Sequence, residues 1–368
     1  MKKIGLLNNK QITKLANEDI LLLDDTDNND VSYDRNIIKW LTDNNEILTN
    51  QTLIRIELTA ATRGDLTVIK WLYENNFYIY DDVLNIASEN GYLHIIKWCH
   101  KNKIEINHNV PIYAAKNGYL NIIKWCYENS IPIDTDVAVY SAEFGHFEVL
   151  KWCKKMDIPL NNYVSSLAAK NGDIHIVKWC KTNNVPMDSL TPAMAAKNGH
   201  IDIIIWCKDN GIEVDHLTSY NAALGGYVNI LKWCEKQKIP IYKECYDGAS
   251  ESNYISVLDW LWSKHIDFTN TKISSNAGYN GNVELLNWCL KKNIPIDVDV
   301  PLLATQEGYE NVLDWCKENK IALDKTLLLE AIKYNKFTIV EWFIDNKIVT
   351  ENDIKNRERL INKSENEK

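Results

Sequence analysis

The sequence predicts an all-α solenoid of tandem helix–turn–helix units, and three observations predict it. Tryptophans recur on a fixed step. Trp71, Trp98, Trp125, Trp152, Trp179, Trp206, Trp233 and Trp260 keep one constant spacing, Trp288 comes one position late, and Trp315 and Trp342 resume the same spacing. A small-residue pair and a glycine stand before most of them at a constant offset, as Ala114-Ala115 and Gly118 do before Trp125. An apolar–Pro–apolar segment follows several of them, as in Ile131-Pro132-Ile133. A period of this length marks stacked repeats, each of which buries its apolar face only against its neighbours. Trp40 stands slightly more than one period before Trp71 and opens the series with a slip; Trp262 alone falls outside it.

Composition sets the bounds. The 368 residues exceed what one compact core usually serves, and a repeat array escapes that limit by growing in one dimension. With 45% hydrophobic and 25% charged residues the chain reads as an ordinary soluble protein. The formal charge of −9 is spread along the chain, so no nucleic-acid partner is expected. No stretch approaches the ~20 apolar residues of a membrane span, and Met1 to Lys10 is too polar for a secretory leader. A cytoplasmic monomer with no membrane partner is expected, and its Asn50-Gln51-Thr52 sequon is expected to carry no sugar.

Residues 1–32 lack the motif and are read as a degenerate N-terminal cap, with Leu21-Leu22-Leu23 leading into Asp24, Asp25, Asp27 and Asp30. Residues 33–350 are read as the repeats. In the unit around Trp125, Asn109 is placed as the N-cap of the first helix, with Asp82, Asp136 and Asp299 in the same slot of other units. Pro111 falls in the first turn, where a missing N–H does no harm. The Ala pair allows close approach of a neighbouring helix, and Gly118 ends the helix in a left-handed conformation. The second helix sets Ile122, Trp125 and Cys126 on one face, Ile123 widens the stripe, and Asn129 closes it. An extended return follows, because proline biases its predecessor away from helix. Neither helix is long enough to stand alone. The sequence therefore assigns cohesion to an internal spine of indoles from Trp71 to Trp342, each worth at most ~4–6 kcal/mol if fully buried. Residues 351–368, rich in Glu, Asp, Lys and Arg, are read as a C-terminal capping helix and polar tail.

The run Ala195-Ala196-Lys197-Asn198-Gly199-His200-Ile201-Asp202-Ile203-Ile204-Ile205-Trp206-Cys207 resembles an ankyrin repeat, with Trp and Cys where that family usually has leucines. The dialect is similar to ankyrin-repeat proteins of amoeba-infecting giant viruses of the mimivirus kind. The unit is shorter than the family's repeat of about 33 residues, and the missing part falls where the family carries its β-hairpin. The resemblance therefore implies an ankyrin-type solenoid with shortened or absent β-hairpins, of viral or amoebal origin.

The chemistry-bearing residues point away from catalysis. Eight of the nine cysteines directly follow a repeat Trp, and equivalent positions in adjacent repeats lie about 8–10 Å apart, too far for a disulfide or a shared metal. They read as buried thiols, as does Cys245. His146 and His200 follow a turn glycine and are expected to hydrogen-bond loop backbone. No phosphate loop, nucleophile elbow or metal-binding helix motif occurs, so no enzyme activity, cofactor or metal is expected. Before successive Trp residues stand Lys70, Lys97, Lys124, Lys151 and Lys178, then Ile205 and Lys232, and later Asp259, Asn287, Asp314 and Glu341. This stripe is either a solvated helix face or a surface whose changing sign orients a partner. Candidate partner-binding residues are Lys97, Lys124, Lys151 and Lys178 on that stripe, and Lys116, Lys170, Lys197 and Tyr220 on the concave first-helix side. The expected function is a non-enzymatic protein–protein interaction scaffold. The alternatives are a ubiquitin-ligase substrate adaptor working through residues 1–50 and a structural virion component.

Overall fold

The computed structural model describes residues 50–349. Trp40, the expected cap at 1–32 and the expected C-terminal segment 351–368 lie outside the described residues. Among the described residues there are 22 helices and no strand, an all-α tandem-repeat fold. The chain divides into two compact units, Met1–Val164 and Ser165–Lys368.

Unit 1 contains four helix pairs: α1 (Asn50–Arg63) and α2 (Leu66–Glu74), α3 (Asp81–Glu89) and α4 (Leu93–Lys101), α5 (Asn109–Lys116) and α6 (Leu120–Glu128), α7 (Thr135–Glu143) and α8 (Phe147–Lys155). Within the unit each first helix packs on its own second helix, and α1, α3 and α5 each pack on the next first helix. The reason is in the sequence: Val110, Ala114 and Ala115 of α5 and Ile122, Ile123 and Cys126 of α6 are all fully buried. Small residues bring first helices together, and branched residues fill the space beneath.

Helix α9 (Asn162–Lys170) contains the seam between the units. Unit 2 continues with α10 (Ile174–Thr182), α11 (Leu190–Lys197), α12 (Ile201–Asp209), α13 (His216–Leu224), α14 (Val228–Lys236), α15 (Glu244–Glu251) and α16 (Ile255–Ser263). It ends with α17 (Ile273–Tyr279), α18 (Val283–Lys291), α19 (Val300–Glu307), α20 (Glu310–Glu318), α21 (Leu327–Lys333) and α22 (Phe337–Asp345). First helices again stack in order, α11 on α13 through to α21.

Two details correct the sequence reading of helix ends. Capping falls two positions earlier than Asn109 and Asp136: Asn109 N–H donates to Asn107 Oδ1 and Asp136 N–H to Asp134 Oδ1, both at 3.0 Å. Asn161, Asp188 and Asp215 do the same; Asp82 lies inside its helix, and Asp299 is the N-cap as expected but makes no side-chain capping bond. The short carboxylate or amide reaches the N–H two positions on, so the cap sits at the end of the return. At the other end, Asn129 is the C-cap but the left-handed residue is Ser130, φ +58°. Ile131 N–H donates to Cys126 O (2.9 Å) and Ser130 N–H to Tyr127 O (3.2 Å), the paired bonds of a Schellman ending. Asn129 contributes through its side chain, Nδ2 donating to Trp125 O at 2.8 Å.

The expected indole spine is also corrected. Trp71, Trp98, Trp125, Trp152, Trp179, Trp206 and Trp233 are only half-buried, whereas Trp260, Trp288, Trp315 and Trp342 are buried. The fully buried anchor is the residue after the Trp: Cys99, Cys126, Cys153, Cys180, Cys207, Cys234, Cys289 and Cys316 have no exposed surface. Burial pushes these thiols up to about 12, and Cys245 to about 11.

Candidate binding groove

The sequence-predicted residues do not converge on one site. Lys97, Lys124, Lys151 and Lys178 are exposed, one on each of four second helices. Lys151 pairs with Glu148 in its own helix and lies over Phe147. Lys116 is half-buried, with its ammonium 4.8 Å from the ring centre of Tyr113 and 4.6 Å from that of Tyr140. Its carbonyl accepts from the His146 ring at 2.8 Å, so the histidine holds loop backbone as expected. The Lys170 carbonyl accepts Asn198 Nδ2 at 2.7 Å, and Lys197 is exposed.

The sign change before the tryptophans has a local cause at its acidic end. Trp288 Nε1 donates to Asp259 Oδ1 (3.0 Å), Trp315 Nε1 to Asn287 Oδ1 (2.8 Å) and Trp342 Nε1 to Asp314 Oδ1 (2.9 Å). Each acceptor stands just before the Trp of the preceding repeat. Lysine has no acceptor, so Lys97 and Lys124 leave that task undone. In unit 1 the edge of the next indole meets a ring instead: Tyr73 stands edge-on to Trp98, His100 to Trp125 and Tyr127 to Trp152. Trp262 fills the same slot, two positions after its repeat Trp, and stands edge-on to Trp288. The tryptophan that broke the period is thus explained by the period's own packing.

Tyr220 is different. It lines a groove of about 1120 Å³ in unit 2, with walls from α13, α15, the start of α17 and the two returns between them. The ring lies on Gly248, where an added Cβ would meet Tyr220 Cε2 at 3.2 Å. Other repeats carry Tyr113, Tyr140 or Leu167 in the Gly248 slot. The far wall is the return 264–272, lengthened by one position at the step from Trp260 to Trp288. That return contains two left-handed residues, His265 and Asn270. It is pinned by Lys272 N–H donating to Asp247 Oδ1 (2.6 Å), Lys243 Nζ to Thr269 O (3.2 Å) and the Tyr246 hydroxyl to Ile266 O (3.3 Å).

The groove is acidic and partly apolar. Glu244, Asp247 and Glu251 share one side of α15 at helical spacing. Burial raises the Asp247 carboxyl, with the Lys272 N–H pulling the other way. Burial also raises the Tyr220 hydroxyl, reinforced by Glu251 and Asp247. Of the residues nominated from the sequence, Tyr220 lines this groove; Glu244, Asp247 and Glu251 were not nominated, and the lengthened step was the available signal. Among the described residues no three His, Cys, Asp or Glu side chains gather to hold a metal ion.

No protein-family pattern matches the chain, and no curated protein matches it. Among solved structures it is similar to the pentatricopeptide repeat protein PPR10 in complex with an 18-nt psaJ RNA element, with a TM-score of 0.37 and 9% identity over 91% of this chain and 58% of that one. A cysteine-to-serine variant of PPR10 with the same RNA element gives the same figures. PPR10 from maize matches with a TM-score of 0.35 and 10% identity over 90% of this chain and 56% of that one. The chain spans a little over half the length of these proteins. One expectation is corrected here: two of these helical-repeat structures contain RNA, and the exclusion of nucleic acid as a partner is withdrawn. The physical reason is that a whole-chain charge of −9 does not fix the charge at any one place, and Lys97 and Lys124 are exposed.

Proposed function

We propose that the chain is a non-enzymatic binding scaffold of short ankyrin-type repeats that engages another protein through the first-helix side of unit 2. One observation carries this reading: the core positions repeat with little change, while the register slip at residues 264–272 coincides with an open groove lined by varied side chains. A repeated core supplies rigidity, and variation at one place supplies selectivity. The Ala-Ala-Lys-Asn-Gly dialect supports a viral or amoebal cytoplasmic protein. Lys97, Lys124 and Lys151 serve as an accessory basic surface that speeds encounter with an acidic part of the partner. The adaptor and virion roles have no such observation in their favour.

A photo-crosslinking amino acid placed at Tyr242, 52% exposed on the groove rim, tests this reading in the full chain. Placed at Lys124 it serves as the comparison. The expected outcome is a discrete protein adduct from position 242 that is lost on adding Glu251→Lys, with weaker or no adducts from position 124. Adducts to RNA in place of protein, or the same adducts after Glu251→Lys, would contradict it.

A further inference from the structure

We infer that the unit 2 groove holds an extended peptide segment of the partner, with a lysine or arginine side chain laid against Tyr220 and facing Asp247 and Glu251. This deepens the scaffold reading and rests on it. The dimensions come first. The groove runs across three successive first helices, α13, α15 and α17, which at about 10 Å per helix is roughly 20 Å. An extended chain covers that in about six residues at ~3.3 Å each. Its volume of about 1120 Å³ is larger than a typical small-molecule pocket of ~300–1,000 Å³.

The sign of the occupant follows from the charges. Glu244, Asp247, Glu251 and Asp267 face Lys243 and Lys272, with His216 and His265 at the rim. Asp267 is occupied by Thr269, whose N–H and hydroxyl both donate to it. Lys243 is occupied by the Thr269 carbonyl. Asp247 has one oxygen on Lys272 N–H and the other left over. Among the described residues the Glu244 and Glu251 carboxylates make no ion pair or side-chain hydrogen bond. Against the Lys272 ammonium stand three carboxylates, so the groove keeps a net negative charge for a cation, set beside an aromatic face. Carboxylates supply directed acceptors, and the ring supplies the quadrupole that a guanidinium or ammonium prefers. Beside Asn276, the remaining lining includes the apolar Leu217, Ile241 and Ile266 and the exposed Tyr242. An extended peptide alternates its side chains, so basic residues that meet α15 would alternate with apolar residues that meet these four.

The test is fluorescence anisotropy with the full chain and two labelled hexapeptides, one alternating leucine with arginine and one alternating leucine with glutamate. The leucine–arginine peptide is expected to bind, and the leucine–glutamate peptide is not. The double variant Asp247→Asn, Glu251→Gln keeps the acceptor for Lys272 N–H and the helix intact. It is expected to weaken the leucine–arginine peptide about tenfold or more and to flatten its salt dependence. Tyr220→Ala should weaken it as well, and Lys101→Ala, at an exposed position of α4 in unit 1, should leave it unchanged. Equal affinity in the native chain and the double variant, equal binding of both peptides, or no binding of either overturns the inference. If position 242 still yields a protein adduct in any of those cases, the scaffold reading survives and only this peptide mode fails.

Discussion

At the scale of single residues, the turn glycines show how local geometry and inter-repeat packing act together. Gly118 has φ +74°, and an added Cβ would lie 2.5 Å from the His146 ring of the next repeat. Gly211 has φ +71° and open space around it. The same substitution should therefore give two different results. Gly211→Ala costs only the left-handed backbone, about 1 kcal/mol, and Gly118→Ala adds the displacement of a ring, for roughly 2–4 kcal/mol in all. Thermal or denaturant unfolding of the two variants checks this. Glu57 offers a second case. It is 2% exposed, its Oε1 accepts Tyr80 N–H at 2.8 Å, and burial pushes its carboxyl up to about 7. The folded state then holds the proton more tightly than the unfolded state, whose value is near 4.5. Stability from this group is present below about 4.5 and is lost as pH rises through about 7, by up to roughly 3 kcal/mol. Glu57→Gln keeps the acceptor and should flatten that loss in unit 1, read by hydrogen exchange from pH 5 to 8. Unchanged pH dependence would show that Glu57 is not its source. Sequence placed the turn glycines correctly, because a period exposes any residue it cannot vary. Glu57 gave no signal, since burial of one carboxylate depends on what the fold packs over it.

At the scale of the helices, the second helix of each repeat is tied to its neighbour by the edge of an indole, and the tie changes along the chain. In α18, α20 and α22 it is a hydrogen bond to Asp259, Asn287 and Asp314. In α4, α6 and α8 it is an edge-on ring. A hydrogen bond to a charged acceptor contributes about 1.5–3 kcal/mol, less where the acceptor is partly exposed. Asp314→Ala should therefore destabilise unit 2 by about 1 kcal/mol and leave Trp342 fluorescence more exposed to quencher. Lys97→Asp should supply unit 1 with the acceptor that Trp125 lacks and stabilise it by up to about 1 kcal/mol. Trp288 carries both ties, the Asp259 acceptor and the Trp262 edge, so loss of stability on Lys97→Asp would contradict this reading. Helix starts and stops were partly legible. Proline, the small pair and glycine placed the helices, but the capping side chains were placed two positions late, at Asn109 rather than Asn107. The cap lies inside an apolar return such as Ile104-Glu105-Ile106-Asn107, where periodicity drew attention to the helix rather than to the residue before it.

At the scale of the molecule, repetition made the fold readable and hid the site. A long row of evenly spaced tryptophans announces stacked helix pairs because such a pattern has no other simple cause. The same regularity directs the eye to the lysines that recur, and those lie apart on separate helices. The groove lies at the interruption, where one additional residue lengthens the return after Trp260. Its acids, Glu244, Asp247 and Glu251, lie on one helix and look like any solvated helix face in the sequence; only stacking sets Tyr220 of the preceding repeat and the return 264–272 around them. In the proposed function that slip is the origin of the binding surface. Its most direct test is the cross-linking yield from position 242 in the native chain and in a chain lacking Asn270, which restores the regular step. The predicted result is loss of the partner adduct with the thermal midpoint of unfolding kept or raised. An undiminished adduct in the shortened chain would contradict it.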